Sequence, residues 1–241
     1  MLTDTATVVW KELREILFTD GRFQAGARTG VIFLGIAGVL FPLEAGPRWF
    51  SSWSTIFSAC FPLMVVLNHG IDAFAGERER HTLETLLASR LDDRAILFGK
   101  TLAVVLYGWL LVVTALPVGM VAVNVVHRGA GFLFFRPAIL ASIVVLALLV
   151  ALLSCAIAAV VSLGAPTVRA AGQRMAVPFA AMFSLPLGLP FLMRKLHWEP
   201  TVAHLGPRLV VLLVAVACLL ASIVTLAIGL RRFTRERLVL A

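Results

Sequence analysis

Long apolar runs alternate with short polar segments along most of the chain, beginning near residue 29. A helix that crosses a bilayer needs about 20 apolar residues, within a range of roughly 17 to 25. We delimit each run by the charged residues or histidines on either side of it, and the runs then predict six membrane spans. They lie near residues 29–43, 49–71, 101–126, 137–164, 175–193 and 209–230.

Two of the predicted spans depart from the simple pattern. The run 29–43 is short, so it crosses only if Arg28 and Glu44 reach the interfaces or if the bilayer thins around it. The fifth run contains Pro186 and Pro190, and each proline removes a backbone hydrogen-bond donor from the helix. This run therefore forms either a kinked span or a broken, re-entrant segment.

Composition supports a multi-span membrane protein with an all-α fold. Hydrophobic residues make up 60% of the 241 positions, the mean hydropathy is +0.97, and only 14% of the residues are charged. Soluble domains carry about 25% charged residues. The chain is therefore predicted to form a single transmembrane domain over residues 1–241. Its net charge of +8 does not indicate nucleic-acid binding, because the basic residues lie between the apolar runs, where they set orientation.

Lysine and arginine are distributed unevenly between two alternating sets of connecting segments. Segments 1–28, 72–100, 169–174 and 231–241 hold 15 of these residues, whereas the other set holds 6. Basic residues favour the cytoplasmic side of a membrane. We therefore predict a multi-pass protein of the bacterial cytoplasmic (inner) membrane, with both termini and segment 72–100 in the cytoplasm.

Residues 75–94, between the second and third predicted spans, form a long polar segment in an otherwise apolar region. Within it, 77–91 is patterned as an amphipathic helix, with Glu77 and Glu79 in the first turn, where the helix dipole favours acids. One alternative is a helix that lies on the lipid surface, and the other is a helix that docks into a groove on a protein. The segment carries charges of both signs, and its apolar face consists only of leucines. These features favour docking into a groove on a protein. That face consists of Leu83, Leu86, Leu87 and Leu91.

Residues 1–28 contain a second amphipathic pattern ahead of the first span. Trp10 suits the headgroup zone of a membrane, so we predict a cytoplasmic interfacial helix that leads into the first span. An alternative is that this helix also braces a partner protein. The predicted apolar stripe is Val9, Trp10, Leu13, Ile16 and Leu17, and the residues facing away from it are Lys11, Glu12, Arg14 and Glu15.

The polar segment and the start of the third span resemble the signature region of type-2 ABC transporter permeases, the ABC-2 type integral membrane subunits. In that family a Glu-Arg-Glu, a Thr-Leu-Glu and a pair of leucines follow the second span, and a Gly-Lys precedes the third. The six spans and the helix containing Trp10–Glu15 resemble the family as well. His81 and Arg90 depart from the pattern, since the family usually has Gly before the Thr and Pro near the end of the segment. The matching residues are Glu77, Arg78, Glu79, Thr82, Leu83, Glu84, Leu86, Leu87, Gly99 and Lys100.

The resemblance implies that residues 77–91 are a coupling helix that binds a separate ATPase. The implied assembly contains two cytoplasmic ABC ATPase subunits, which bind ATP and Mg²⁺, and a second permease copy or a homologous permease in the lipid bilayer. Export is the direction that the family favours. The implied ATPase contacts are Glu77, Arg78, Glu79, Thr82, Leu83, Glu84, Leu86, Leu87 and Leu91. Arg169 and Arg174 form either a second contact or plain topology-setting charges.

Other candidate sites in the sequence are weaker. The tripeptide Gly99–Thr101 lacks the glycine that a phosphate-binding loop needs five residues earlier, where Arg94 stands. The histidines and cysteines show no catalytic or zinc-binding spacing, so we predict a subunit that is not an enzyme and binds no cofactor or metal itself. Near the inner end of the second span, Asn68, His69 and Asp72 are candidates for a substrate path.

A passive channel or an ion-gradient-driven secondary carrier is the alternative function. Such a protein would show charged residues in the middle of its spans, whereas the six predicted spans carry no charge between their flanks. A membrane enzyme would need polar residues clustered at one interface, and the sequence does not indicate such a cluster. These observations favour an ATP-driven permease.

Overall fold

The computed structural model of the chain is almost entirely helical. It describes residues 2–19, 22–23, 25–51, 53–76, 79, 93–195 and 207–232. Helix α1 spans Leu2–Leu17 and is followed by a short antiparallel pair, β1 (Phe18–Thr19) with β2 (Arg22–Phe23). This pair reverses the chain, so that the next helix begins beside the end of α1.

The first membrane span is helical along most of its length, and its helix type changes along the chain. It consists of α2 (Ala25–Gly35), a π turn (Ile36–Leu40), α3 (Phe41–Ala45) and a 3₁₀ turn (Gly46–Phe50). The π turn and the 3₁₀ turn change the number of residues per turn, so the side chains after each of them are rotated relative to a regular α-helix.

This first span runs over Gly26–Phe50 and so extends beyond the predicted residues 29–43. The sequence prediction ended the first span before Glu44, but this residue is exposed near the end of α3 and does not interrupt that helix. The chain turns at Gly46, whose φ of +54° a glycine adopts without steric penalty. Trp49, predicted to open the second span, is instead buried in the 3₁₀ turn that closes the first.

The remaining helices are long and are joined by short connections where the structure describes them. Helix α4 covers Trp53–Ile71 and continues into a second π turn, Asp72–Gly76. The later helices are α5 (Asp93–Val126), α6 (Pro137–Leu163), α7 (Val168–Lys195) and α8 (Pro207–Arg232), with a 3₁₀ turn at Arg128–Ala130 before α6. Helix α5 therefore begins earlier than the predicted third span, 101–126.

The described residues contain five stretches that are long and apolar enough to cross a membrane. They are Gly26–Phe50, Ser58–Gly76, Ala95–Val126, Pro137–Leu163 and Leu209–Arg231. Helix α7 covers the predicted fifth span, 175–193, but is not one of these five. Its backbone stays helical through Pro186 and Pro190, and its 28 residues extend about 42 Å, the length of a spanning helix.

Helices α4 and α6 form the buried centre of the bundle. They pack closely on each other, and a Cβ added at Gly70 would lie 2.9 Å from the Cβ of Ala158. Small side chains such as these let membrane helices approach one another closely. Helix α8 packs mainly on α6 and exposes most of its leucines and valines; only 6% of its apolar stretch is buried, which is typical of a lipid-facing helix.

Candidate functional site

One end of the bundle brings together the polar segments noted in the sequence. The end of α4, the start of α5 and the ends of α6 and α8 meet there in an apolar cluster that includes Phe74 and Leu97. Helix α1 packs along the start of α5. Helix α7 begins beside the π turn of α4, since a Cβ added at Gly76 would lie 3.7 Å from Val168. We refer to this end as the α1 end.

Most of the predicted contact residues in segment 77–91 lie outside the residues that the structure describes. The segment is nevertheless attached on both sides to the α1 end, because the π turn of α4 ends at Gly76 and α5 begins at Asp93. The predicted coupling helix therefore connects the second span to the third at this end. The residues outside the description are Glu77, Arg78, Thr82, Leu83, Glu84, Leu86, Leu87 and Leu91.

Glu79 is the residue of segment 77–91 that the structure describes, and its carboxylate lies against the start of α7. Its Oε2 accepts a hydrogen bond of 3.0 Å from the backbone N–H of Val168. The hydroxyl of Thr167 accepts another, of 3.1 Å, from the N–H of Ala170. The first N–H groups of a helix lack partners within it, and the helix dipole favours an anion there. Glu79 therefore ties the segment to α7 within the same chain.

The two arginines predicted as a second ATPase contact both lie in the first turns of α7 and are exposed. The guanidinium of Arg174 donates a hydrogen bond to the carbonyl of Gly164, just beyond the end of α6. Cations near a helix C-terminus are favoured by the helix dipole. Arg174 therefore helps to fix the turn between α6 and α7, while Arg169 lies exposed in the first turn of α7.

A buried ion pair joins α1 to α5. Lys100 Nζ lies 2.7 Å from Glu12 Oε1, and only 1% and 7% of the two side chains are exposed. The prediction that Glu12 faces away from the apolar side of α1 is therefore wrong. Its counter-ion, Lys100, lies 88 residues further along the chain, so the pattern within α1 could not indicate that Glu12 is buried. The apolar face of α1 is rotated accordingly: Val8 is buried, whereas Trp10 is 72% exposed.

Gly99 permits this close approach between α1 and α5. A Cβ added at Gly99 would lie 2.6 Å from both Cβ and Cγ1 of Val8. Any larger residue at this position would therefore push the two helices apart. In this chain the Gly-Lys pair that was predicted to precede the third span lies within α5 and has a direct structural role, since Gly99 admits α1 and Lys100 binds it.

The three residues predicted for a substrate path lie close together at the end of α4 and differ in their exposure and contacts. Asn68 is exposed and donates a hydrogen bond of 2.9 Å to the carbonyl of Met64. His69 is partly buried, and its ring meets the ring of Tyr107 edge to face with centroids 5.1 Å apart. The Nε2 atom of His69 is buried without a hydrogen-bond partner among the described residues. Asp72 is exposed in the π turn, one helical turn further on.

Tyr107 is a site residue that was not predicted from the sequence. Its hydroxyl donates a hydrogen bond of 2.6 Å to the carbonyl of Gly26, at the start of the first span, and its ring contacts His69. A buried aromatic hydroxyl usually finds a polar partner. The available signal was that the one tyrosine of the whole chain falls inside a predicted span.

Lys100 is not placed to bind a phosphate group. Its ammonium is almost fully buried and pairs with Glu12, and Gly99–Thr101 lies within the continuous helix α5, where a phosphate-binding loop would follow a strand. Across the described ranges, no three histidine, cysteine, aspartate or glutamate side chains come together in a group suited to a metal ion.

Comparison with known proteins gives a family match over most of the chain. The model of the family described as ABC-2 family transporter protein matches residues 22–209, from strand β2 to the start of α8. The matched region includes α4, the polar segment and α5, but it does not include α1. No curated protein matches the chain.

Proposed function

The chain belongs to the ABC-2 family of transporter proteins, and on this premise we propose that it is the permease subunit of an ATP-driven exporter in the cytoplasmic membrane. Its six spans, with α7 as the fifth, form part of the transport pathway. Two copies of a separate ABC ATPase dock onto residues 77–91 from the cytoplasm. A second permease copy or a homologous permease completes the pathway, and ATP and Mg²⁺ bind to the ATPase subunits.

The observation that carries this proposal is the position of segment 77–91 inside the matched region. It joins the end of α4 to the start of α5, and Glu79 also bonds to the first residue of α7. A force applied to this segment therefore acts on three helices, through two covalent links and one hydrogen bond. Such attachments suit rigid-body switching between two arrangements of packed helices.

The predicted apolar face of the segment supports docking to a protein. An amphipathic helix that binds in a groove uses apolar anchors at spacings of three and four residues, and Leu83, Leu86 and Leu87 follow that spacing. Burying one leucine side chain contributes about 1.5–3 kcal/mol relative to leaving it in water. A row of leucines outside the membrane therefore favours a partner surface that covers it.

The distribution of charge supports docking from the cytoplasm. The α1 end collects α1, the π turn of α4, the start of α5 and the start of α7. These elements belong to the segments that hold 15 of the 21 lysines and arginines of the chain. Because basic segments favour the cytoplasmic side, the α1 end faces the compartment in which the ATPase hydrolyses ATP.

Helix α5 is suited to carry motion across the membrane. It is one helix over its 34 residues, with Pro117 inside it, and extends about 50 Å, so a displacement at Asp93 is carried along the helix from the docking segment into the membrane. The first span and the end of α4 each contain a π turn, at Ile36–Leu40 and Asp72–Gly76. Such turns occur often at functional sites. We infer that α5 acts as the lever and that the turn Asp72–Gly76 accommodates its movement relative to α4.

Copurification of an ATPase from the source cells tests the docking site. Leu86→Asp and Leu87→Asp each place a carboxylate on the predicted apolar face and are expected to abolish retention of the ATPase. Thr85→Asp introduces the same group on the opposite face of the same helix and is expected to retain it. Gel filtration of each variant in detergent establishes that the chain is inserted and folded.

Each result bears on the proposal. Retention of the ATPase by Leu86→Asp at the level of the unmodified chain would place the docking site elsewhere. Recovery of the folded chain without any ATPase, with solute movement in vesicles driven by a proton or sodium gradient, would support a secondary carrier instead. Movement down a solute gradient with no energy source would support a channel.

A further inference from the structure

We propose that Glu12 and Lys100 are positioning residues that lock α1 to the start of α5, so that α1, α2 and α5 move as one body. The proposal rests on the proposed function for the force that moves these helices. The lock itself is a contact within this chain: the two charged atoms are 2.7 Å apart, and both side chains are almost fully buried.

A buried ion pair restricts sliding and rotation more strongly than apolar contacts do. Apolar side chains can exchange neighbours when a helix shifts, whereas separating Glu12 from Lys100 would break a close contact between opposite charges in a medium of low polarity. Fixing helix register is the best-attested use of such buried polar pairs. The neighbouring pair on α1, Lys11 with Glu15, is about half exposed at 3.4 Å, so water replaces a lost partner there.

Contacts further along α5 extend the lock to the first span. Tyr107, two turns beyond Lys100, donates its hydroxyl to the carbonyl of Gly26 near the start of α2. The end of α1 packs on the same position, because a Cβ added at Gly26 would overlap the backbone of Ile16. A single helix, α5, therefore holds α1 through Lys100 and α2 through Tyr107.

Loss of the ion pair is expected to leave docking of the ATPase intact but to reduce the movement that α5 passes on to α1. With the pair intact, displacement of residues 77–91 moves α5 and carries α1 and the first span with it. Without the pair, the docking segment is unchanged, but α1 is free to shift relative to α5. Glu12→Gln should therefore leave retention of the ATPase unchanged while altering how far α1 follows α5.

Pulsed EPR on the complex with its ATPase measures this coupling directly. Nitroxide labels are attached at Arg14→Cys and Leu110→Cys, which replace exposed residues on α1 and α5. Cys60 and Cys218 are replaced by alanine so that the labels are confined to these positions. Distances are recorded in nanodiscs without nucleotide and after trapping with ADP and vanadate. The unmodified pair should give one narrow distribution with the same mean in both states.

The variants separate a positioning role from general loss of packing. Glu12→Gln should broaden the distance distribution and make its mean differ between the two states. The reversed pair, Glu12→Lys with Lys100→Glu, should restore the narrow distribution, which a mere packing defect would not allow. Lys11→Met breaks the exposed pair on the same helix and serves as the matched control, with an unchanged distribution expected.

Two results would overturn the proposal: a mean distance that shifts between states with the ion pair intact, or a Glu12→Gln distribution as narrow as that of the unmodified chain. The second comparison is repeated on the isolated chain in nanodiscs. It needs no ATPase, so failure of the lock is distinguishable from failure of the proposed function. If the reversed pair does not insert, Lys100→Arg takes its place; it keeps the charge and should keep the distribution narrow, and a broad one counts against the lock.

Discussion

Gly119 lies where α5 packs tightly against the first span, at the end of the bundle opposite α1. A Cβ added there would lie 2.5 Å from Cη2 and 2.9 Å from Cζ2 of Trp49, and 2.8 Å from Cγ of Pro42. Trp49 is only 2% exposed and Pro42 is also buried, so neither rigid ring can swing aside. Gly119→Ala therefore forces α5 away from the first span.

The expected cost follows from these distances. Carbon atoms in ordinary contact are about 3.5–4.0 Å apart, so each of the three contacts is too short by roughly 1 Å. Overpacking a core typically costs about 1–3 kcal/mol, and two rigid rings place this site in the upper half of that range. Alanine recovers at most about 1 kcal/mol over glycine through helix propensity. The free energy of unfolding should therefore fall by about 1–2 kcal/mol.

Gly35→Ala is the matched control, because a Cβ added at Gly35 meets no atom within 4 Å. This variant should be unchanged or more stable by up to about 1 kcal/mol. Unfolding in mixed micelles of SDS, followed by tryptophan fluorescence, measures the stability of both proteins. Adding Trp49→Phe to Gly119→Ala should recover most of the loss, since the smaller ring makes room and the indole N–H has no hydrogen-bond partner among the described residues.

Equal stability of Gly119→Ala and Gly35→Ala would refute this reasoning, because the interface would then be loose enough to accept a methyl group. If Trp49→Phe does not restore the stability lost in Gly119→Ala, the clash is with Pro42 alone. The four proteins together therefore test both the tightness of the interface and the identity of the residue that limits it.

Three further substitutions test contacts at the α1 end. Lys100→Met removes the ammonium that pairs with the buried carboxylate of Glu12 and should cost about 3–5 kcal/mol in the same unfolding assay, whereas Lys100→Met with Glu12→Met should cost much less. Glu79→Gln removes the charge at the start of α7 and should cost about 0.3–1 kcal/mol, with faster hydrogen exchange in the first turn of α7. Tyr107→Phe removes the hydrogen bond to α2 and should cost about 0.5–1.5 kcal/mol, with faster exchange at the start of α2.

Apolar runs predicted the helices because a membrane imposes a strong constraint on the backbone. Each polar backbone group in hydrocarbon must be bonded within the protein, so a lipid-exposed run of sufficient length is helical. Helix ends are less predictable, since a charge was taken to mark each limit. The third span was predicted to begin at Thr101 because Lys100 was taken as its limit, but the apolar stretch begins at Ala95, since Lys100 is paired with Glu12 inside the bundle.

Long-range partners explain why the contacts of the site were not predicted. Glu12 and Lys100 are 88 residues apart, and Glu79 lies 89 residues before Val168. Helical periodicity indicates which face of one helix is apolar, but it carries no information about a polar group that another helix supplies. Glu12 therefore looked like part of a solvated face, although it shares the buried face of α1 with Val8, four residues earlier.

Helix α5 contacts the first span at both ends of the bundle, and it contacts α1 at one of them. Lys100 and Tyr107 hold α1 and α2 at one end, and Gly119 packs on Trp49 at the other. Tilting of α5 would therefore either move the first span with it or break these contacts. Helices α4 and α6 share the buried centre, and α8 packs mainly on α6. Under the proposed function, work delivered at Asp93 would move α1, α2 and α5 against that centre, so the substrate path should open between these two groups of helices.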